Sequence, residues 1–297
     1  MFMISNPDLT VARCINGTIS KFPALNCREN AVYAGWLSEI ADRLARHADE
    51  TGREPAPFGV NHSMLRGNAR LEADLETTIA QRVPLVITSL GISQDVVDRV
   101  HGYGGVVFHD VVNQRHARKA ADAGVDGLIL VAAGAGGHAG RLNPFAFIAE
   151  VRRWFDRTVI VAGGITNGRQ IAAVELLGAD MVSMGTRFNA TVEGNAPQAY
   201  KSMIVASDAE DITYTPYMTG VGASFLTASL EEWGLDPGDL GNAAIGAAIR
   251  TVRHGDREGK VWRDIWSAGQ STGAIDDVPT AGELCARLVR EYKTRSG

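Results

Sequence analysis

The chain has 297 residues, 45% of them hydrophobic and 21% charged, an ordinary balance for a water-soluble globule with a sizeable core. The longest uncharged apolar run near the middle, Gly127 to Gly137, has 11 residues, short of the ~20 that a bilayer span needs, and Asp8 and Arg13 make the first 21 residues a poor signal peptide. A net charge of −5 without a basic block argues against nucleic acid, while Cys14, Cys27 and Cys285, odd in number and lacking a CxxC pair, argue against a disulfide framework or a structural zinc site and fit a reducing cytoplasm.

In chain order, short β-rich runs centre near Ile19, Val60, Val86, Val107, Ile129, Ile160 and Val182. After the first, each interval has room for one strand, one helix and two loops. The runs are almost wholly apolar: PLVIT at 84–88, GVVF at 105–108, GLILVA at 127–132 and TVIVA at 158–162. Continuous apolarity implies burial on both faces, as in a parallel sheet covered by helices. Asn26 with Glu29 three residues on reads as a capping pair. The helix that follows places Trp36, Leu37, Ile40 and Leu44 on one face. Asn113 and Asn167 stand where helices should begin. Gly124 and Gly178, each at a helix end just before a strand, suit the left-handed conformation. Residues 195–206 and 280–293 read as helices, and 207–280 as an irregular cap on one domain covering 1–297. Seven regular units favour a (β/α)8 TIM-type barrel over an open doubly wound sheet.

Such barrels carry their chemistry in the loops after the strands, often with phosphate bound after the last two. Here those loops read Ala162-Gly163-Gly164-Ile165 and Met184-Gly185-Thr186-Arg187. Glycine allows close backbone approach to an anion, and Thr186 adds a hydroxyl. The loop after the Ile129 strand, AGAGGHAG at 133–140, presents His138 on glycine-rich backbone. An imidazole there can take or give a proton near neutral pH. His109 reads as structural, and His62 should point away from Asn61. No histidine pair has metal-site spacing, so no metal is expected.

AGAGGHAG, AGGITNGRQIAAVELLGAD and MGTRF, in this order, resemble the nitronate monooxygenase family. FPALN at 22–26, FGVN at 58–61 and WSAGQ at 266–270 agree. The resemblance implies an FMN-binding barrel. Its phosphate would rest on Gly163, Gly164, Gly185 and Thr186. Asn61 would contact the flavin ring, with Gly137 beside it in the histidine loop. Gln270 and Gly273 would close over the cofactor, and His138 would be the catalytic residue. The implied reaction is oxidation of an alkyl nitronate with oxygen. Two alternatives share the scaffold: an NAD(P)H-dependent FMN reductase of quinones or enoyl thioesters, and a flavin-binding pseudo-enzyme. A homodimer is left open. Two departures stand out. The chain opens at Met1-Phe2-Met3-Ile4, where the family's first strand should be ending, so a truncated first strand is expected. Asp110 occupies a position where many relatives carry lysine. If it points inward, it would disfavour an anionic reduced flavin.

Overall fold

A computed structural model describes residues 1–240 and 251–294. The end of the Pro/Gly/Asp-rich stretch at 234–242 therefore lies outside the described residues. Seven parallel strands form one sheet: β1 (Ser20–Pro23), β2 (Phe58–Ser63), β3 (Leu85–Ser89), β4 (Val106–Val111), β5 (Gly127–Val131), then, beyond the two-residue β6 (Gly137–His138), β7 (Thr158–Ala162) and β8 (Met181–Ser183). Their order in the sheet, β1-β2-β3-β4-β5-β7-β8, follows the chain, and every pairing is parallel. The connecting helices are α1 (Pro7–Ile15), α2 (Asn30–Thr51), α3 (Leu71–Ala80), α4 (Gln94–His101), α5 (Gln114–Asp122), α6 (Pro144–Arg152) and α7 (Gly168–Leu176). Sequential parallel pairing with a helix after each strand is the pattern of a (β/α)8 barrel. Seven strands make up this sheet. Among the described residues β8 and β1 do not pair with each other.

The segment Met1–Ser5 bridges the loops at that side of the mouth. Asn26 Oδ1 accepts from the Met3 amide at 2.9 Å, its Nδ2 donates to the Ser5 carbonyl at 2.7 Å, and the Asn195 amide donates to the Ile4 carbonyl at 3.0 Å. Asn26 is thus committed to this bridge and does not cap α2. Glu29 takes the N-cap position there without a side-chain hydrogen bond. Asn113 and Asn167 do cap α5 and α7, the second in a full capping box with Gln170. Gly124 and Gly178 follow their helices with φ of 87° and 102°, where a side chain would be strained.

Strand alternation sorts the side chains into two cores. Val60, Val86, Val107, Leu128, Leu130, Val159 and Val161 face the helices, in contact with residues such as Leu37, Ile40, Val97 and Phe147. Leu85, Ile87, Phe108, Ile129 and Ile160 fill the lumen, with Val131, Ala162 and Met181 against them.

Beyond β8 come α8 (Thr186–Asn189) and α9 (Gln198–Ala206), followed by β9 (Ile212–Thr215), β10 (Ala223–Leu226), α10 (Thr227–Glu231), α11 (Pro237–Leu240), β11 (Thr251–His254), β12 (Arg257–Lys260) and α12 (Ala281–Lys293). The stretch expected to be irregular therefore has its own strands. β6, β10 and β9 form an antiparallel sheet, and β11–β12 is a hairpin. The first of these matters for the site, because it draws the histidine loop into the cap.

Candidate active site

β6 pairs Ala223 with His138 and Ser224 with Gly137. The loop at the end of β5 is thereby held by the cap as well as by the barrel. Gly140 donates to the Val131 carbonyl at 3.0 Å, and Ala139 to the Gly222 carbonyl at 3.1 Å. The glycines in this loop answer to crowding. A Cβ at Gly136 would stand 2.8 Å from the Ala268 carbonyl carbon, and one at Gly140 2.6 Å from the Val131 oxygen. The WSAGQ segment lies directly against it, with the Gln270 amide donating to the Gly134 carbonyl at 3.0 Å.

Within this frame the His138 ring is half-buried. It meets the Trp262 ring edge-on at 5.2 Å, and Trp262 stacks on Phe225 at 5.1 Å. Its Nε2 lies 3.2 Å from the Thr219 hydroxyl. Burial pushes the His138 pKa below the usual imidazole value, so the ring is neutral at neutral pH. Trp262 holds a left-handed backbone, φ 75°, which is sterically costly for a bulky residue and accumulates at functional sites. Neither Trp262 nor Thr219 stands out in the sequence, because each comes to His138 through long-range pairing.

The two glycine loops are of different kinds. At Gly163 (φ 124°) a Cβ would lie 2.9 Å from the Ala133 carbonyl and 3.0 Å from the Ala135 nitrogen, so the histidine loop itself demands this glycine. At Gly164 (φ 71°) a Cβ would find nothing within 4 Å, and at Gly185 only Met1 Cγ at 3.8 Å. Neither Gly164 nor Gly185 spends its amide on an acceptor among the described residues. Thr186 Oγ1 accepts the Gly269 amide at 2.9 Å, which leaves its own proton to donate. Open space over glycine amides, with a hydroxyl beside them, fits a phosphate group. Gln270 is exposed next to Gly134. Gly273 stands apart, on a 3-10 turn where a Cβ would meet Asp208 Cβ at 3.2 Å.

In the lumen, Asn61 Nδ2 donates to Asp110 Oδ2 at 3.4 Å, and Asn61 Oδ1 accepts from Ser89 at 3.3 Å. Asp110 faces inward. Its charge is paired, however, because Lys21 on β1 brings its Nζ to 3.9 Å. Sequence reasoning overlooked Lys21. The only signal available was a charged residue between Ser20 and Phe22, both buried, where alternation would turn it toward the lumen. His109 and His62 are structural. Thr88 Oγ1 meets His109 Nδ1 at 2.7 Å, Thr78 Oγ1 meets His62 Nε2 at 2.9 Å, and burial brings both rings down to about 4. Thr88 is thereby committed to His109. Among the described residues no group of three candidate ligands could hold a metal ion, and no helix is long and apolar enough to cross a membrane.

Comparison with known proteins decides the family. Residues 36–291 match the family described as nitronate monooxygenase, and a nitronate monooxygenase of Paraburkholderia phytofirmans is 30% identical over 89% of this chain and 74% of its own length. The chain belongs to the nitronate monooxygenase family. A Mycobacterium tuberculosis protein with a monooxygenase assignment, Rv1533, is 31% identical over 73% of this chain, a match that spans 61% of that protein. Among solved structures, FabK of Thermotoga maritima superposes with a TM-score of 0.78 at 27% identity, covering 99% of this chain and 90% of its own. A nitroalkane oxidase of Streptomyces ansochromogenes gives 0.74 at 25%, covering 98% and 93%. Membership of this family makes the protein an oxidoreductase enzyme.

Proposed function

We propose that this nitronate monooxygenase family member oxidises alkyl nitronates with oxygen, using FMN. The observation that carries the reading is the single loop 133–140. It bears His138 and also packs its backbone on Gly163, which ties an imidazole to a glycine cradle. In this reading Gly164, Gly185 and Thr186 hold the phosphate, with Gly163 keeping their loop in place. Asn61 and Gly137 border the ring system, and Gln270 and Gly273 belong to the segment that closes over it. When bound, the flavin supplies the redox chemistry, accepting electrons from the substrate and passing them to oxygen. The residues of the chain bind, orient and exclude water. The apolar lumen formed by Leu85, Ile87, Phe108, Ile129 and Ile160 keeps solvent from below. The neutral His138 imidazole accepts a proton from a carbon acid or a hydrogen bond from substrate. Three buried free thiols fit a reducing cytoplasm.

The likeness to FabK favours one second reading, in which NAD(P)H is the donor and a thioester the acceptor. Two relatives are named as carboxyl-CoA dehydrogenases, one of them, from Mycobacterium tuberculosis, 27% identical over 87% of this chain. Anaerobic mixing separates the two. With propionate 3-nitronate the flavin absorbance should bleach, and with NADH it should not. Bleaching by NADH alone would replace the first reading with the second.

A further inference from the structure

The environment of His138 contains a proton count that fixes which ring nitrogen is basic. Thr219 has one hydroxyl proton. Its Oγ1 lies 2.7 Å from the Val221 carbonyl oxygen, which can only accept. Thr219 Oγ1 also lies 3.2 Å from His138 Nε2 and 3.4 Å from the Val221 amide, which can only donate. With the proton committed to the carbonyl, the bond to the imidazole forms only if Nε2 carries hydrogen. Nδ1 meets no partner among the described residues.

We propose that Thr219 is a positioning residue that holds His138 in the Nε2–H tautomer, so that Nδ1 is the proton-accepting atom of the site. The tight turn 219–221 is what enforces it. Thr219 Oγ1 is clasped by both backbone groups of Val221, and the adjoining β10 places that turn over β6 through the Ala223–His138 pair. The second face of the ring is set by the edge-on Trp262, so rotation about the ring axis is restrained as well.

The consequence rests on the reading of His138 given above. A lone pair at Nδ1 suits removal of a carbon-bound proton from a neutral nitroalkane. The C–H bond breaks, its electron pair stays on the substrate as the nitronate, and the proton ends on Nδ1. The resulting imidazolium keeps its Nε2–H bond to Thr219. The same atom cannot donate to a preformed nitronate unless it is first protonated. Loss of Thr219 should therefore hurt the neutral nitroalkane more than the nitronate.

The test is made on the protein as purified, labelled with ¹⁵N-histidine, by long-range ¹H–¹⁵N correlation, with His138→Gln assigning the resonances. Wild type should show the Nε2–H pattern for His138. Thr219→Val should replace it with a tautomer mixture, and Thr219→Ser should restore it. The His62 and His109 signals, each buried against its own threonine, report whether a variant keeps the fold. If Thr219→Val does not, the wild-type pattern and the serine variant decide alone. An Nδ1–H pattern or a mixture in wild type would overturn the proposal. So would a folded valine variant with an unchanged tautomer. Because no turnover enters this measurement, failure of the nitronate reading leaves it intact, and the reverse holds too.

Discussion

His138 and the glycines around it are separable by substitution, because their reasons for being there differ. His138→Asn leaves Gly164, Gly185 and Thr186 untouched, so the variant should purify with its flavin. It should lose turnover of a neutral nitroalkane by about 10²–10⁴-fold, the usual contribution of a positioned acid–base group. Stopped-flow reduction of the flavin measures this, and equal rates in both proteins would remove His138 from the chemistry. Gly163 is the wrong residue with which to probe the cofactor. Its missing Cβ is demanded by Ala133 and Ala135, so Gly163→Val disturbs the histidine loop whatever binds. Gly185 is the clean position, with φ outside the left-handed region and open space beyond. Gly185→Val should fold like wild type and lose most of its flavin, as read from the ratio of absorbance at 450 nm to protein. A folded variant that retains full flavin would move the phosphate elsewhere.

Elements were legible in the sequence where burial makes them uniform. β3, β4, β5 and β7 fall on the apolar runs, because a strand covered on both faces has little polar side to confuse the pattern, whereas β1, Ser20–Pro23, starts one residue beyond the expected centre at Ile19 and carries Lys21. The cap was illegible for the opposite reason. β9 and β10 have four residues each and β6 two, too few for periodicity, and their stability comes from pairing between segments distant in sequence. Asn26 misleads as a cap because tertiary partners outbid the local one. At the helix junctions, Gly168 shows how close α7 and α12 approach. Its amide donates to Glu291 Oε2 at 2.8 Å, and a Cβ would lie 2.3 Å from the Tyr292 nitrogen and 2.4 Å from the Leu288 carbonyl. These are backbone atoms that cannot step aside. Gly168→Ala should therefore push α12 off the barrel and destabilise the protein by roughly 1–3 kcal/mol, the usual range for overpacking. Urea denaturation would show it as a lower midpoint, and an unchanged midpoint would mean that α12 does not dock there. The site was half legible in the same sense. The glycine loops and His138 announce themselves by composition, whereas Thr219, Trp262 and Lys21 acquire meaning only from the register that brings them in.

At the scale of the whole molecule, the buried imidazoles link stability to pH. His62 is 1% exposed between the sheet and α3. Thr78 gives its proton to the Asp74 carbonyl at 2.7 Å, so it accepts from both His62 Nε2 and the Tyr33 hydroxyl. Nothing there welcomes a second proton on the ring. Burial lowers its pKa to about 4, opposed only by the nearby Asp74 charge. In the unfolded chain the same ring titrates near 6.5. Above that value both states are neutral, and the ring adds no pH dependence. As pH falls from about 6.5 to about 4 the unfolded chain binds a proton that the native state refuses, so stability drops by about 1.4 kcal/mol per pH unit for this ring. Below about 4 both states are protonated and the slope ends. His109, brought down to about 4 chiefly by burial, adds a parallel loss over the same window. His62→Gln keeps an amide that can donate to Thr78 and removes the titration. The variant should be less stable than wild type at pH 7, through imperfect packing. The gap should narrow by about 1.4 kcal/mol per unit as pH is lowered toward 4, because only wild type carries the penalty. Urea midpoints at pH 7, 6 and 5 measure the gap directly. Carboxylate titration is common to both proteins and cancels in the difference, so a gap that stays constant with pH would mean that folding does not lower the His62 pKa and that the Thr78 network is differently arranged.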